Sequence, residues 1–162
     1  MLEFFQTYSY LGLFLVLFFE EGGIPFPIPG DLFIAATSAL SNSNYFFIVT
    51  VVTLATLMGS TILFTIAKRF GNPLLIKYGK YIKVDQKKVK RIENWFIKYG
   101  GMAIIIGRLI PGLRIVTPFA AGTFNVSYKT FWLYTLIAAF IWANAYYLIG
   151  KFFGELILRL IK

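Results

Sequence analysis

The sequence predicts an all-α integral membrane protein, and three observations lead to this prediction. The chain of 162 residues is 58% hydrophobic and only 14% charged, so it is more apolar and less charged than soluble domains usually are. Several uncharged runs reach or approach the length that an α-helix needs to cross a bilayer. Two further segments combine prolines, glycines and charges between apolar runs, as expected of broken backbone lying within protein at membrane depth. We therefore expect about three transmembrane helices, two opposed re-entrant hairpins and a basic amphipathic interfacial helix.

The predicted elements form a single membrane domain over residues 1–162. In order they are a helix over 4–19, an acidic re-entrant hairpin over 20–40, a span over 45–67, a basic cytoplasmic loop with a surface helix over 68–99, an arginine re-entrant hairpin over 101–124, a span over 130–150 and a short tail over 151–162. The helix over residues 45–67 is the clearest span, since its uncharged run gives a helix of roughly 34 Å. Gly71-Asn72-Pro73 is expected to break this helix soon after its span. Asn144 lies in the last span and is expected to bond a neighbouring helix, with a ligand contact as the alternative.

The net charge of +9 is concentrated in one loop. Residues 68–98 carry an excess of eight positive charges, and the rest of the chain carries an excess of one. Such confinement indicates positive-inside topology and excludes nucleic acid as the expected partner. The surface helix after Asp85 has an apolar and a basic face. We expect it either to lie in the interface on anionic lipid headgroups or to pack on a neighbouring cytoplasmic segment. The expected location is the cell membrane, with several passes, and the oligomeric state stays open.

The absence of cysteine and histidine from the sequence limits the possible chemistry. Without them the chain lacks thiolates, the commonest general base and the commonest metal ligand. We therefore expect no metal site, no cofactor and no enzymatic activity. An insertion-assisting or structural membrane protein is a further alternative, and it would tolerate neutralisation of the charged hairpin residues.

The segment over residues 107–122, GRLIPGLRIVTPFAAG, places Arg108 and Arg114 among apolar residues. An arginine at the bilayer centre costs about 2.5–3.5 kcal/mol by insertion scales, so such a residue is a functional candidate by default. Guanidinium groups bind phosphate oxygens in pairs, and backbone N–H groups around Gly112 can add donors. We expect these three residues to hold a phosphate headgroup. The alternative for either arginine is a side chain that reaches the membrane interface.

The upstream segment over residues 20–31, EEGGIPFPIPGD, is the acidic counterpart. The step Pro29-Gly30 recurs as Pro111-Gly112 in the arginine segment, where Pro118 follows, and we expect these residues to shape the backbone. We expect the two hairpins to face each other inside the membrane, so that acids and arginines pair. Alternatively, both are interfacial loops that join ordinary spans.

The carboxylates Glu20, Glu21 and Asp31 are the expected charge partners of the arginines. When a phosphate takes an arginine, its carboxylate loses a partner and takes up a proton, which would couple protons to lipid movement. Asp31 could instead cap the following helix, and Glu21 could be exposed at the mouth of the hairpin. Two transport functions fit: movement of a phosphate-bearing lipid, or proton-coupled transport of a small ion or solute.

These motifs resemble the DedA family, also called the VTT or SNARE-associated membrane family. The matching residues are Glu20, the run from Gly23-Ile24-Pro25 to Pro29-Gly30-Asp31, Gly107-Arg108, Pro111-Gly112, Arg114 and Ala121-Gly122. Asp31 stands where the family commonly has glutamate, and the family usually has a further C-terminal span. The resemblance implies two opposed re-entrant hairpins and transbilayer movement of undecaprenyl phosphate or phosphatidylethanolamine, with proton-motive-force dependence in several bacterial members. The small anionic isoprenyl phosphate would suit two arginines, whereas phosphatidylethanolamine would also need an acid for its ammonium group.

Overall fold

The computed structural model describes residues 2–24, 29–39, 43–78, 86–110 and 113–161, and this part of the chain contains seven helices and no strand. The helices are α1 (Leu2–Glu21), α2 (Gly30–Ala39), α3 (Tyr45–Tyr78), α4 (Gln86–Tyr99), α5 (Met102–Leu109), α6 (Val116–Thr123) and α7 (Tyr128–Ile161). The predicted all-α class is confirmed. Helices α1 and α2 pack against each other, as do α5 and α6, and α4 packs on both α5 and α6.

Among the described residues, two helices are long and apolar enough to cross a membrane. They are Tyr45–Gly71 within α3 and Tyr128–Gly154 within α7, each of 27 residues. The helix expected over residues 4–19 lies within α1, and the number of spans and the re-entrant path of the hairpins stay predictions.

The chain divides into two compact units. Unit 1 comprises residues 1–59 and 139–162, and unit 2 comprises residues 60–138, so α3 and α7 each contribute to both.

Unit 1 has a core built from helix faces whose buried residues are four and seven positions apart. Its fully buried side chains include Leu13 and Leu17 of α1, and Ile48 and Ala55 of α3. This spacing places each pair on one side of its helix. Gly59 continues that face of α3, and a Cβ atom there would collide with the carbonyl oxygen of a residue in α1. Close packing of α1 on α3 therefore requires glycine at this position.

A hydrogen bond between α3 and α7 also stabilises unit 1. Tyr45 donates its hydroxyl to Asn144 Oδ1 over 2.5 Å. The Asn144 amide in turn donates to the carbonyl oxygen of Phe140 over 2.7 Å. The predicted role of Asn144 in helix–helix bonding is confirmed.

Unit 2 is built around stacked aromatic rings. The rings of Phe64 in α3 and Phe131 in α7 stack with centroids 4.1 Å apart, and both side chains are fully buried. Gly122 of α6 lies directly against the backbone of α3, where an added Cβ would be 2.8 Å from the Cβ of Ala67. This close approach brings the arginine segment onto the long helix of its own unit.

The expected helix break at Gly71-Asn72-Pro73 is wrong, because α3 continues without interruption to Tyr78. Gly71 is buried against Thr123 at the end of α6, so its small size is needed for packing. A proline within a helix removes one backbone hydrogen bond and bends the axis, but it does not have to end the helix. Asp85, which was expected to cap the surface helix, lies outside the described residues.

Candidate functional site

The acidic segment is closed by a hydrogen bond from the first residue of α2 to the end of α1. The backbone N–H of Gly30 donates to Glu20 Oε2 over 2.9 Å. Gly30 is buried, and an added Cβ there would collide with the same carboxylate oxygen. Pro29 is exposed, and its carbonyl oxygen accepts the first helical bond of α2 from Leu32 over 3.0 Å. Glu20 therefore satisfies a backbone donor at a helix start, where no intrahelical partner exists.

The two other acids of this segment lie in different surroundings within unit 1. Glu21 is fully buried, with an exposed fraction of 0%, so the alternative of exposure at a hairpin mouth is wrong. Asp31 lies in the first turn of α2, where its charge is favourable to the helix dipole, and its Oδ1 accepts a hydrogen bond from Trp142 Nε1 over 2.8 Å. The predicted helix-end role of Asp31 is consistent with this position.

The arginine segment of unit 2 carries its two arginines around the interruption between α5 and α6. Arg108 lies in the last turn of α5, and Arg114 lies in the turn just before α6. Their exposed fractions are 2% and 8%, respectively. Burial of an ion costs several kcal/mol before its interactions are counted, so two buried arginines six positions apart make this segment a candidate site. Both side chains are therefore enclosed by protein, and the alternative in which they reach the membrane interface stays a prediction.

Short contacts hold the two arms of this segment together. Gly107 of α5 faces Thr117 of α6, and a Cβ at residue 107 would collide with the threonine hydroxyl. Thr117 also donates its hydroxyl to the carbonyl oxygen of Leu113 over 2.7 Å. Pro118 lies in the first turn of α6, where a backbone N–H would have no helical partner, so this proline is compatible with the helix. Pro111 and Gly112 lie outside the described residues.

The two arginines lie near helix ends of opposite partial charge. Arg108 is at the carboxyl end of α5, where the helix dipole stabilises a cation. Arg114 precedes the amino end of α6, where the dipole favours an anion instead. The Nη1 atom of Arg108 and the Nη2 atom of Arg114 make no hydrogen bond, although both side chains have other interactions. An anion that bound here would meet the planar donor groups of the arginines. It would also meet the partial positive charge at the start of α6.

The predicted site residues divide between the two units. Glu20, Glu21 and Asp31 belong to unit 1, and Arg108 and Arg114 belong to unit 2. Pairing of the acids with the arginines joins different units and stays a prediction. Sequence reasoning did not find Thr117 or the contact of Trp142 with Asp31. Trp142 and Asp31 are 111 positions apart in the chain, so no local pattern links them.

Comparison with known proteins identifies the family. The model of the VTT domain matches residues 28–152, which include both arginines and Asp31. The chain belongs to the DedA, or VTT-domain, family.

Three relatives are similar to this chain over most of its length. The uncharacterized membrane protein YbfM of Bacillus subtilis (strain 168) is 31% identical over 91% of the chain and 91% of its own length. Protein DedA of Escherichia coli (strain K12) is 31% identical over 94% of the chain and 72% of its own length. Undecaprenyl phosphate transporter A of Staphylococcus aureus (strain NCTC 8325 / PS 47) is 30% identical over 92% of the chain and 76% of its own length. No solved structure matches the chain.

These relatives establish that this DedA-family chain is a membrane protein, and they support a transporter or flippase role at the level of the family. The name of the relative from Staphylococcus aureus points to transport rather than to enzymatic chemistry.

Proposed function

We propose that this protein moves a phosphate-bearing lipid across the cell membrane and that Arg108 and Arg114 bind the lipid's phosphate. The observation that carries this proposal is the burial of both guanidinium groups beside one break between two short helices. A phospholipid crosses a bilayer slowly because its phosphate must leave water. A buried cationic site lowers that cost, since charge-assisted hydrogen bonds replace those to water.

Undecaprenyl phosphate is the substrate that we propose first. It is the lipid in the name of the relative from Staphylococcus aureus, and its head is a small anion that two arginines can enclose. Phosphatidylethanolamine is the second candidate, because the carboxylates of unit 1 could receive its ammonium group.

We further propose that protons are coupled to the movement of the lipid. When the phosphate binds the arginines, a carboxylate among Glu20, Glu21 and Asp31 would lose a cationic partner and take up a proton.

The experiment is lipid translocation in liposomes that contain the purified protein. Arg108→Gln and Arg114→Gln remove one charge each at buried positions, and Arg69→Gln removes one at an exposed position of the same unit. We expect each buried variant to lower the initial rate by about tenfold or more, as for the loss of one charge-assisted bond pair, and the control to transport at the wild-type rate. Equal rates in all three variants would refute the proposed site.

Two further measurements separate the alternatives. Ion or solute flux without lipid movement would replace the lipid function by a small-ion or solute transporter. For proton coupling, Glu21→Gln and Asp31→Asn are compared with wild type under an imposed pH gradient. We expect the gradient to accelerate lipid movement in wild type and to have less effect in at least one carboxylate variant. The same acceleration in every variant would contradict the coupling while leaving the arginine site intact.

A further inference from the structure

Unit 2 contains a groove whose described lining residues include neither Arg108 nor Arg114. Its volume is about 480 Å³, which is within the range of ligand pockets in proteins. One wall is formed by α4, and the other is formed by Ile110 and Leu113 in the turn between α5 and α6. The lining is mainly apolar.

The α4 wall is one continuous face of an amphipathic helix. Its lining residues are Arg91, Ile92, Asn94, Trp95, Lys98 and Tyr99. Their spacing of one, three, four, seven and eight residues from the first places them on one side of a helix. The apolar residues of this face, which form the floor of the groove, are aromatic and aliphatic. Its two cations, Arg91 and Lys98, are two turns apart, or about 10 Å along the helix axis.

Contacts within unit 2 hold this face in position. Phe96, which adjoins Trp95 on α4, is buried in the core cluster that includes Ala103, Ile104 and Ala120 of α5 and α6. The ring of Phe96 also contacts that of Phe124, with centroids 5.9 Å apart. The α4 wall of the groove is therefore held in place, because α4 is packed into the core of unit 2.

Charge and polarity together define the ligand that fits. Arg91 and Lys98 are exposed, whereas the floor consists of side chains such as Ile92 and Trp95 that are partly buried. A ligand of the groove must therefore combine an apolar chain with an anionic head. The large positive excess of this region favours an anionic molecule over a second copy of the same basic surface.

We propose that this groove binds one anionic phospholipid of the adjacent leaflet. The lipid's chain lies against Trp95, Ile110 and Leu113, and its phosphate is bound by Arg91 and Lys98, with the Asn94 amide between them. Because Ile110 and Leu113 lie between Arg108 and Arg114 in the chain, the groove adjoins the segment that carries both arginines. A role as a waiting position for the transported lipid rests on the proposed function, but binding in the groove does not.

The test uses the fluorescence of Trp95 as a reporter from the groove floor. Wild type and Trp95→Phe are reconstituted in phosphatidylcholine vesicles that contain either brominated phosphatidylglycerol or brominated phosphatidylcholine at equal mole fraction. The difference in quenching between the two proteins gives the contribution of Trp95. We expect brominated phosphatidylglycerol to quench Trp95 several-fold more effectively than brominated phosphatidylcholine.

Two charge-matched double variants then locate the site. Arg91→Gln with Lys98→Gln removes both groove cations, and Arg69→Gln with Lys90→Gln removes one exposed arginine and one exposed lysine outside it. The first is expected to lower the preference for the anionic lipid by about tenfold, because each cation near a membrane surface attracts anionic headgroups. The second is expected to keep the preference within a factor of about two. Helical circular dichroism and a single elution volume confirm that each variant folds.

Three outcomes would overturn the proposal. The first is equal quenching by the two lipids. The second is an equal loss of preference in both double variants, which would show that only the general surface charge attracts the lipid. The third is no quenching of Trp95 by either lipid, which would show that protein covers the groove. Each of these is independent of the translocation rate of the Arg108 and Arg114 variants.

Discussion

Replacing Gly59 with alanine should destabilise unit 1, whereas the same replacement at Gly12 should not. A Cβ on Gly59 would collide with the carbonyl oxygen of Phe18 and lie 2.9 Å from the Cβ of Glu21. Both obstacles belong to or adjoin the backbone of α1, so the helices themselves must move apart. A Cβ on Gly12, within α1, would meet nothing within 4 Å.

The two variants share every effect except this collision. Alanine gains about 1 kcal/mol over glycine in a helix interior, and both positions lie inside helices. Overpacking of a tight contact costs about 1–3 kcal/mol, occasionally more. The stability difference between the variants should therefore be about 1–3 kcal/mol, with Gly59→Ala the less stable.

The assay is thermal unfolding in detergent, followed by the loss of the folded elution peak. At about 2–4 °C per kcal/mol for a chain of this size, Gly59→Ala should melt roughly 2–12 °C below Gly12→Ala. Melting temperatures that change equally in both variants would refute the inference that α1 and α3 approach each other at Gly59.

Three further substitutions test contacts within the units by the same melting assay. Tyr45→Phe leaves Asn144 Oδ1 without this donor and should cost about 0.5–2 kcal/mol; an unchanged melting temperature would contradict the bond between α3 and α7. Trp142→Phe removes the indole N–H bond to Asp31 and should cost about 1.5–3 kcal/mol, and this cost should shrink by at least half when Asp31→Ala is already present; fully additive effects would show that the bond contributes nothing. Gly122→Ala should cost about 1–3 kcal/mol because its Cβ would collide with the backbone of α3, and an increase in stability would contradict that approach.

The sequence was sufficient to predict the positions of both broken segments. Proline, glycine and charge occurred together in two short stretches, and the structure interrupts its helices at both, between Glu21 and Gly30 and between Leu109 and Val116. The burial of Arg108 and Arg114 followed from the same pattern, because charges between apolar runs on a broken backbone need an enclosed site.

Contacts between distant parts of the chain could not be predicted in this way. The extension of α3 past Pro73 depends on packing of Gly71 against Thr123, more than fifty positions later. The burial of Glu21 depends equally on its place between helices of unit 1. Local signals describe how a residue shapes its own backbone, but they do not show which partner the residue will meet.

The most direct test of the central claim is an experimental structure of the protein with undecaprenyl phosphate bound. We predict density for the phosphate with its oxygen atoms about 3 Å from guanidinium nitrogens of both Arg108 and Arg114, as in charge-assisted hydrogen bonds. Density for the phosphate far from both side chains, with the lipid otherwise well ordered, would contradict the assignment of these arginines to the headgroup.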